Sequence, residues 1–227
     1  MINDRKEANI VIAKRVAKEL KDGQVVNLGF GVPMMVPQFI SKDVNVIFHS
    51  ENGLVGMGAD APSEAIDKDL TNAGGVYVTI EDYGSYFDSP TSFGIVRGGH
   101  LDSTILGAFE VDQEGNLANW AVPGKFIPGM GGAMDLVTGA KQVIVAMFHT
   151  AKGSPKILKK CSLPLTGAKV VDKIITEFGL FEVTPQGLIL KEIQKDSSLD
   201  EIRKYTEADY QVSPQLKRMD DGSPITA

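Results

Sequence analysis

An α/β fold, a single domain whose mixed, largely parallel sheet is flanked by helices, is what this sequence predicts, and three observations carry it. Short apolar runs of strand length alternate with amphipathic segments of helix length, the order expected of βαβ units. The runs at 25–28, 44–48 and 142–147 are almost unbroken by charge, as strands covered on both faces are. Glycine-rich corners follow these runs, where an open sheet turns into its connections.

Taken in order, Ala8, Ile12, Val16 and Leu20 recur every four residues between lysines and arginines, predicting a helix from Asp4 to a close at Gly23. Residues 25–28 form a short strand. "GFGVP" follows, with Pro33 placed to open a helix through Ile40. Residues 44–48 are the next strand and end in "SENG". The segment "DAPSEAIDKDLTNAGG" reads as loop or short helix, and 76–80 as a strand. "DSTILGAFEVDQEGNLANW" reads as two antiparallel strands turning at Glu114-Gly115-Asn116. A glycine-rich loop enters a helix near Gly132, and the strand at 142–147 follows. The last third holds a strand near Ile157, a helix over 170–175, a hairpin turning at Pro185-Gln186-Gly187, and a helix opened by Ser198 with Glu201 three residues on, a capping box. No linker divides the chain, so the domain is expected over 1–215 with a tail at 216–227.

Composition narrows the function. A formal net charge of -6 and pI near 5.1 argue against a general nucleic-acid binder, which needs a basic face for the phosphates, while a small acidic substrate stays open because local charge can differ from net charge. One cysteine, Cys161, rules out an internal disulfide, and no Cys/His spacing suits zinc. The N-terminus intersperses charge through its apolar positions, so no signal peptide is expected there. No apolar run approaches a membrane span. A cytoplasmic protein is expected.

Glu51 stands where the strand at 44–48 meets its turn, beside the turn dipeptide Asn52-Gly53. Two readings fit: a solvated residue of a hairpin turn, or a carboxylate at the carboxyl end of a parallel strand, where ligands of α/β proteins gather. "GMGGA" at 129–133 leaves backbone N–H groups free of Cβ obstruction, which suits an oxyanion or merely a flexible loop. His49, His100 and His149 lack ligand spacing, the serine-hydrolase elbow is absent, and the histidines read as hydrogen-bonding residues. Lys152, Lys156, Lys159 and Lys160 read as a solvated edge, the favoured reading, or as a patch that meets the phosphates of a large anionic cofactor, and Cys161 reads as half-buried and structural.

Together "FHSENGLVG", "RGGH", "LANW", "PGKFIPGMGGAMDLVTGA" and "HTAKGSPKILKKCSLPLTG" resemble the β subunit of class I coenzyme A transferases of the 3-oxoacid type, over nearly the whole chain. The resemblance implies that Glu51 is the catalytic nucleophile, that Gly132 and Ala133 supply backbone donors to an oxyanion hole, and that Asn27 lines the site. It implies transfer of CoA between a short-chain acyl-CoA (acetyl-, butyryl-, acetoacetyl- or succinyl-CoA) and a carboxylic acid through a glutamyl-CoA thioester, with CoA as substrate and no cofactor or metal. It also implies an α-subunit partner, in an α2β2 assembly, and no nucleic acid or membrane. The fold is shared with sugar-phosphate isomerases, so proton abstraction is the rival chemistry, and a non-catalytic binding subunit is a second rival. Two positions depart from the pattern: Gly75 stands where some relatives carry lysine after "NAG", and Phe148 stands where many carry glutamate. The second departure bears either on substrate choice or on packing.

Overall fold

Residues 4–127 and 129–225 are described in the computed structural model; the first three residues, Pro128 and the last two residues of the tail expected at 216–227 lie outside the described residues. Helix α1 (Arg5–Ala17) starts on Asp4, whose carboxylate accepts from the Lys6 N–H. Strand β1 (Val25–Leu28) leads into a 3-10 segment (Val32–Phe39), then β2 (Ile47–Ser50), β3 (Leu54–Asp60) and β4 (Val78–Tyr86). Helix α2 (Ser89–Arg97) precedes β5 (Ser103–Leu106), β6 (Glu110–Asp112) and β7 (Leu117–Ala118). Next come α3 (Ala133–Gly139), β8 (Val143–Ala146), the small hairpin β9 (Thr150–Ala151) and β10 (Ser154–Pro155), and β11 (Ile157–Leu158). The chain closes with β12 (Lys173–Ile175), β13 (Gly179–Thr184), β14 (Gly187–Ile193), α4 (Leu199–Tyr205) and β15 (Tyr210–Arg218).

One ten-stranded sheet runs β15-β14-β13-β12-β8-β5-β1-β2-β3-β4. Its centre, β12-β8-β5-β1-β2, is parallel throughout; β3 and β4 extend it by antiparallel pairing on one side and β13 and β14 on the other, where β15 then pairs parallel to β14. Among these central strands the direction of winding reverses between β1 and β5, the switch point of a doubly wound sheet, outside whose carboxyl ends a crevice opens. The expected mixed, largely parallel α/β sheet is therefore the fold observed.

Both faces are covered. In β8, Val143 and Val145 enter one core and Ile144 and Ala146 the other, which is why that run carries no charge. Helix α1 lays Ile12 and Val16 on one face beside the 3-10 segment, with Leu20 of the following turn in the same core, while α2 and α3 cover the other through Val96, Leu136 and Val137. Each such buried aliphatic side chain stabilises by roughly 1.5–3 kcal/mol. Arg15, almost fully buried on α1, is held by two hydrogen bonds to Glu192 of β14, 2.6 and 2.9 Å, and by Glu19, which also pairs with Lys173.

The structure corrects four local readings. Helix α1 ends at Ala17, and residues 18–23 form turns before Gly23 takes a φ of 75°. The helix expected over 170–175 is strand β12, because its β-branched run Ile174-Ile175 fills the slot between β8 and β13. Segment 102–120 makes three strands: β5 belongs to the main sheet, and only β6 and β7 pair across the turn at Gly115. Helix α2 is an addition to the expected elements, capped by Asp88, which accepts from the Thr91 N–H, and with Pro90 in its first turn. The capping box on α4 and the hairpin at 185–187 form as read.

Candidate active site

The β2–β3 turn holds Glu51 at the carboxyl end of β2, so both readings of that corner describe the same residue. Four hydrogen bonds fix the turn. Gly53 N–H donates to Ser50 C=O at 3.1 Å and Phe87 N–H to Gly53 C=O at 3.0 Å. Ser50 Oγ accepts from Ala73 N–H at 3.0 Å, and Asn52 Nδ2 donates to Thr71 C=O at 2.7 Å. Gly53 has a φ of 123°, and a Cβ there would stand 2.2 Å from the Phe87 carbonyl oxygen, so no other residue fits.

Asn27, on β1, points its amide at the glutamate. Its Oδ1 accepts from the Thr104 hydroxyl of neighbouring β5 at 3.4 Å, which turns Nδ2 toward Glu51 Oε2 at 3.3 Å and toward the His49 carbonyl at 3.2 Å. The same amide nitrogen lies 3.3 Å from His49 Nδ1, and His49 Nε2 lies 3.1 Å from Ser92 Oγ, so both ring nitrogens have polar partners. Burial pushes the His49 imidazole down to about 4, so at neutral pH it is an uncharged spacer beneath the site.

Gly132, the residue before α3, closes the other side. A Cβ built on it would lie 3.1 Å from Glu51 Cγ and 3.2 Å from the Phe93 ring of α2. Ala133 is adjacent, and its N–H donates to the Met130 carbonyl at 3.0 Å. Three sequence-predicted residues, Glu51, Asn27 and Gly132, thus converge, while the Ala133 N–H is engaged locally. Phe93 and Thr104 join them without having been named from sequence, and Ser50 joins as a bond acceptor of the turn; contacts of this range leave no local signal, although the Asp88 cap is a sign of the helix that carries Phe93.

Glu51 borders a cavity of about 590 Å³, lined on its other sides by the β1 exit, the 3-10 segment, β3, β4 and the loop Asn72-Ala73-Gly74. Phe30, 77% exposed, and Tyr83, 52% exposed, stand at it. A second depression of about 560 Å³ at the ends of β8 and β12 contains Arg5, Phe148, Lys156 and Glu177. There the Arg5 guanidinium lies 4.7 Å over the Phe148 ring, so the departure at Phe148 serves packing away from Glu51. Lys152, Lys159 and Lys160 are exposed as expected, but Lys156 is half-buried, and burial brings its ammonium down to about 8. His149 bonds Thr176 and Thr206 through its two ring nitrogens, 2.9 Å each, and His100 is exposed. Cys161 is half-buried, its thiol pushed up to about 12 by burial and by Asp112 and Glu110. Among the described residues no cluster of His, Cys, Asp or Glu suits a metal ion, and no helix is long and apolar enough to cross a membrane.

Residues 10–204 match the family model described as Coenzyme A transferase. The chain is 52% identical over 213 residues to the β subunit of an acetate CoA-transferase from Haemophilus influenzae, covering 93% of this chain and 95% of that one. It is 50% identical over 202 residues to one subunit of a succinyl-CoA:3-ketoacid coenzyme A transferase from Helicobacter pylori, covering 88% of this chain and 97% of that one. The crystal structure of an acyl-CoA transferase apoenzyme from Escherichia coli O157:H7 superposes with a TM-score of 0.76 at 25% identity; it covers all of this chain, which spans 46% of that longer one.

Proposed function

The chain belongs to the coenzyme A transferase family, and from that premise we propose that it is the glutamate-bearing β subunit of an enzyme that moves CoA from a short-chain acyl-CoA to a carboxylic acid through a thioester on Glu51. The observation that carries this reading is the Glu51 carboxylate, fixed by a pinned turn at the edge of a cavity, with Asn27 Nδ2 on one oxygen and Gly132 against its Cγ.

The chemistry follows from a carboxylate in that position. A Glu51 oxygen attacks the thioester carbonyl, the C–S bond breaks, and CoA leaves as thiolate from a mixed anhydride. The thiolate attacks the glutamyl carbonyl and the donor acid departs as its carboxylate, leaving glutamyl-CoA. An acceptor carboxylate attacks that thioester, forming a second anhydride and freeing thiolate. The thiolate then attacks the acceptor's acyl carbon, releasing the new acyl-CoA and restoring Glu51. Carboxylate and thiolate make every bond change, so the scheme needs no resident cofactor or metal, and CoA is a substrate.

Each tetrahedral intermediate bears an oxyanion. A backbone donor aimed at it is worth about 3 kcal/mol. Gly132 N–H is the candidate beside Glu51; Ala133 serves only if its N–H leaves the Met130 carbonyl. Binding the remote parts of CoA supplies energy to orient the thioester.

An α subunit, in an α2β2 enzyme of the cytoplasm, completes the site. Two observations support a partner here: relatives of this length are named as subunits, and the exposed apolar side chains Phe30 and Tyr83 stand at the cavity that Glu51 borders. Incubating the assembled enzyme with acyl-CoA and no acceptor is expected to add the mass of CoA less water at Glu51, and borohydride to convert that thioester to an alcohol. An adduct on another residue, or transfer that survives Glu51→Ala, refutes the assignment.

A further inference from the structure

The relatives' names divide between acetate and succinyl-CoA, and the cavity beside Glu51 favours one side of that division. This inference rests on the CoA-transfer reading. The apolar wall is Phe30, Met34, Phe48, Met57, Val78 and the Tyr83 ring. Every charged residue lining the cavity is a carboxylate: Glu51, Asp60 and Glu81. Among the described residues no lysine, arginine or histidine lines it, and neither Asp60 nor Glu81 is in an ion pair. The other polar walls are neutral, from Gln38, Asn45, Ser50 and Asn72.

An acyl-CoA whose carbonyl meets Glu51 has this cavity available for its chain. A hydrocarbon chain gains by leaving water. A carboxylate at the chain's far end would give up hydration with no cation to replace it and would meet two like charges. We propose that the enzyme is selective for monocarboxylic acyl groups and discriminates against dicarboxylic donors such as succinyl-CoA, with Glu81 and Asp60 as the specificity-determining residues. Glu81 and Asp60 act on the distal end of the chain and take no part in bond making.

The test uses the assembled enzyme with butyryl-, hexanoyl-, succinyl- and glutaryl-CoA, reading both the rate of Glu51 adduct formation by intact mass and kcat/KM with acetate as common acceptor. Butyryl-CoA is expected to exceed succinyl-CoA by about 100-fold or more. Glu81→Lys is expected to raise succinyl-CoA loading about tenfold while butyryl-CoA loading changes less than about threefold; Asp60→Lys provides a second variant with the same expectation. A merely structural role would lower all donors alike. Succinyl-CoA that loads as fast as butyryl-CoA, including through a cation supplied by the α chain, overturns the inference and leaves the CoA-transfer reading intact. A donor ratio unmoved by both lysine variants overturns it too, since the cavity then holds the pantetheine arm rather than the acyl chain. If no donor of either class loads Glu51, the CoA-transfer reading falls and this inference with it.

Discussion

Substituting Gly132 tests how tightly the proposed nucleophile, Glu51, is held. Its backbone, at φ -84° and ψ 2°, suits any residue, so the variants are expected to fold. The obstacle is contact: a Cβ would lie 3.1 Å from Glu51 Cγ and 3.2 Å from Phe93 Cε1 and Cζ, against an ordinary carbon–carbon separation of about 3.5–4.0 Å. Alanine therefore asks Glu51 and Phe93 to yield by about half an ångström in total. Valine adds two methyl groups in the same space and displaces Glu51 by about 1 Å, and a misplacement of that size costs about 100-fold in rate. The expected kcat falls about tenfold for Gly132→Ala and about 100-fold or more for Gly132→Val, with smaller changes in KM. The assay is transfer from acyl-CoA to acetate, paired with the rate of Glu51 adduct formation and a thermal melt. Gly94→Ala, in α2 with nothing within 4 Å of the new Cβ, is the control: kcat unchanged and stability raised by about 0.5–1 kcal/mol. A Gly132→Val enzyme with kcat within about twofold of the parent would refute the reasoning, because the contact that defines the site would then carry no cost.

Asn27→Asp replaces the donor on Glu51 by an acceptor and sets two carboxylates about 3 Å apart; kcat is expected to fall about 100-fold while Asn27→Ala also loses about 1–3 kcal/mol of stability, both read by kinetics and denaturant melts. Burial lowers the His149 imidazole to about 3, below its unfolded value of 6.5, so its share of stability is complete above pH 6.5 and is lost as pH falls toward 3, when only the unfolded chain takes up the proton. Denaturation between pH 6 and 4 is expected to show His149→Gln with a slope shallower by about 1.4 kcal/mol per pH unit, and equal slopes would exclude this linkage. With its thiol pushed up to about 12, Cys161 is about one part in ten thousand thiolate at pH 8; iodoacetamide is expected to leave activity intact, and rapid stoichiometric inactivation would contradict this.

What the sequence discloses, and what it hides, divides along the range of the interaction. The parallel strands are legible because burial on both faces removes charge, as in Val143-Ile144-Val145-Ala146. The stripe Ala8, Ile12, Val16 is legible because one helix face meets the sheet, and Leu20, which extends its spacing, is buried from the turn after the helix. Residues 170–175 mislead because six residues with adjacent valines and isoleucines suit either a short helix or a buried strand, and only the slot between β8 and β13 decides. Helix α2 escapes notice although Asp88 and Pro90 announce it, because Gly94 and the β-branched Ile95-Val96 dilute its helix propensity. Glu51, Asn27 and Gly132 are named singly through the family resemblance; that Thr104 orients the Asn27 amide, and that Phe93 backs Gly132, depends on separations of 77 and 39 residues that no local pattern encodes.

The place of Glu51 follows from where the parallel centre of the sheet ends. Had β2 been followed by another parallel strand, its carboxyl end would have needed a long crossover, and a catalytic carboxylate there would ride on a loop. Because β3 pairs antiparallel with β2, the connection shrinks to Glu51-Asn52-Gly53, short enough to be fixed by the bonds of Ser50, Asn52, Gly53 and Phe87. The corner is thus a hairpin turn and a strand-end site at once. On the proposed mechanism, a weak nucleophile such as a carboxylate gains most from this arrangement, since its contribution to rate is largely positional: held at the edge of a cavity, with Asn27 on one oxygen, it would need little reorganisation to reach a thioester carbonyl. The same rigidity makes selectivity a matter of the surrounding walls, because a nucleophile that does not move cannot adapt to a misplaced chain. On the selectivity we propose, Asp60 and Glu81, on the two strands that extend the sheet beyond the turn, set that choice without touching the bonds that change.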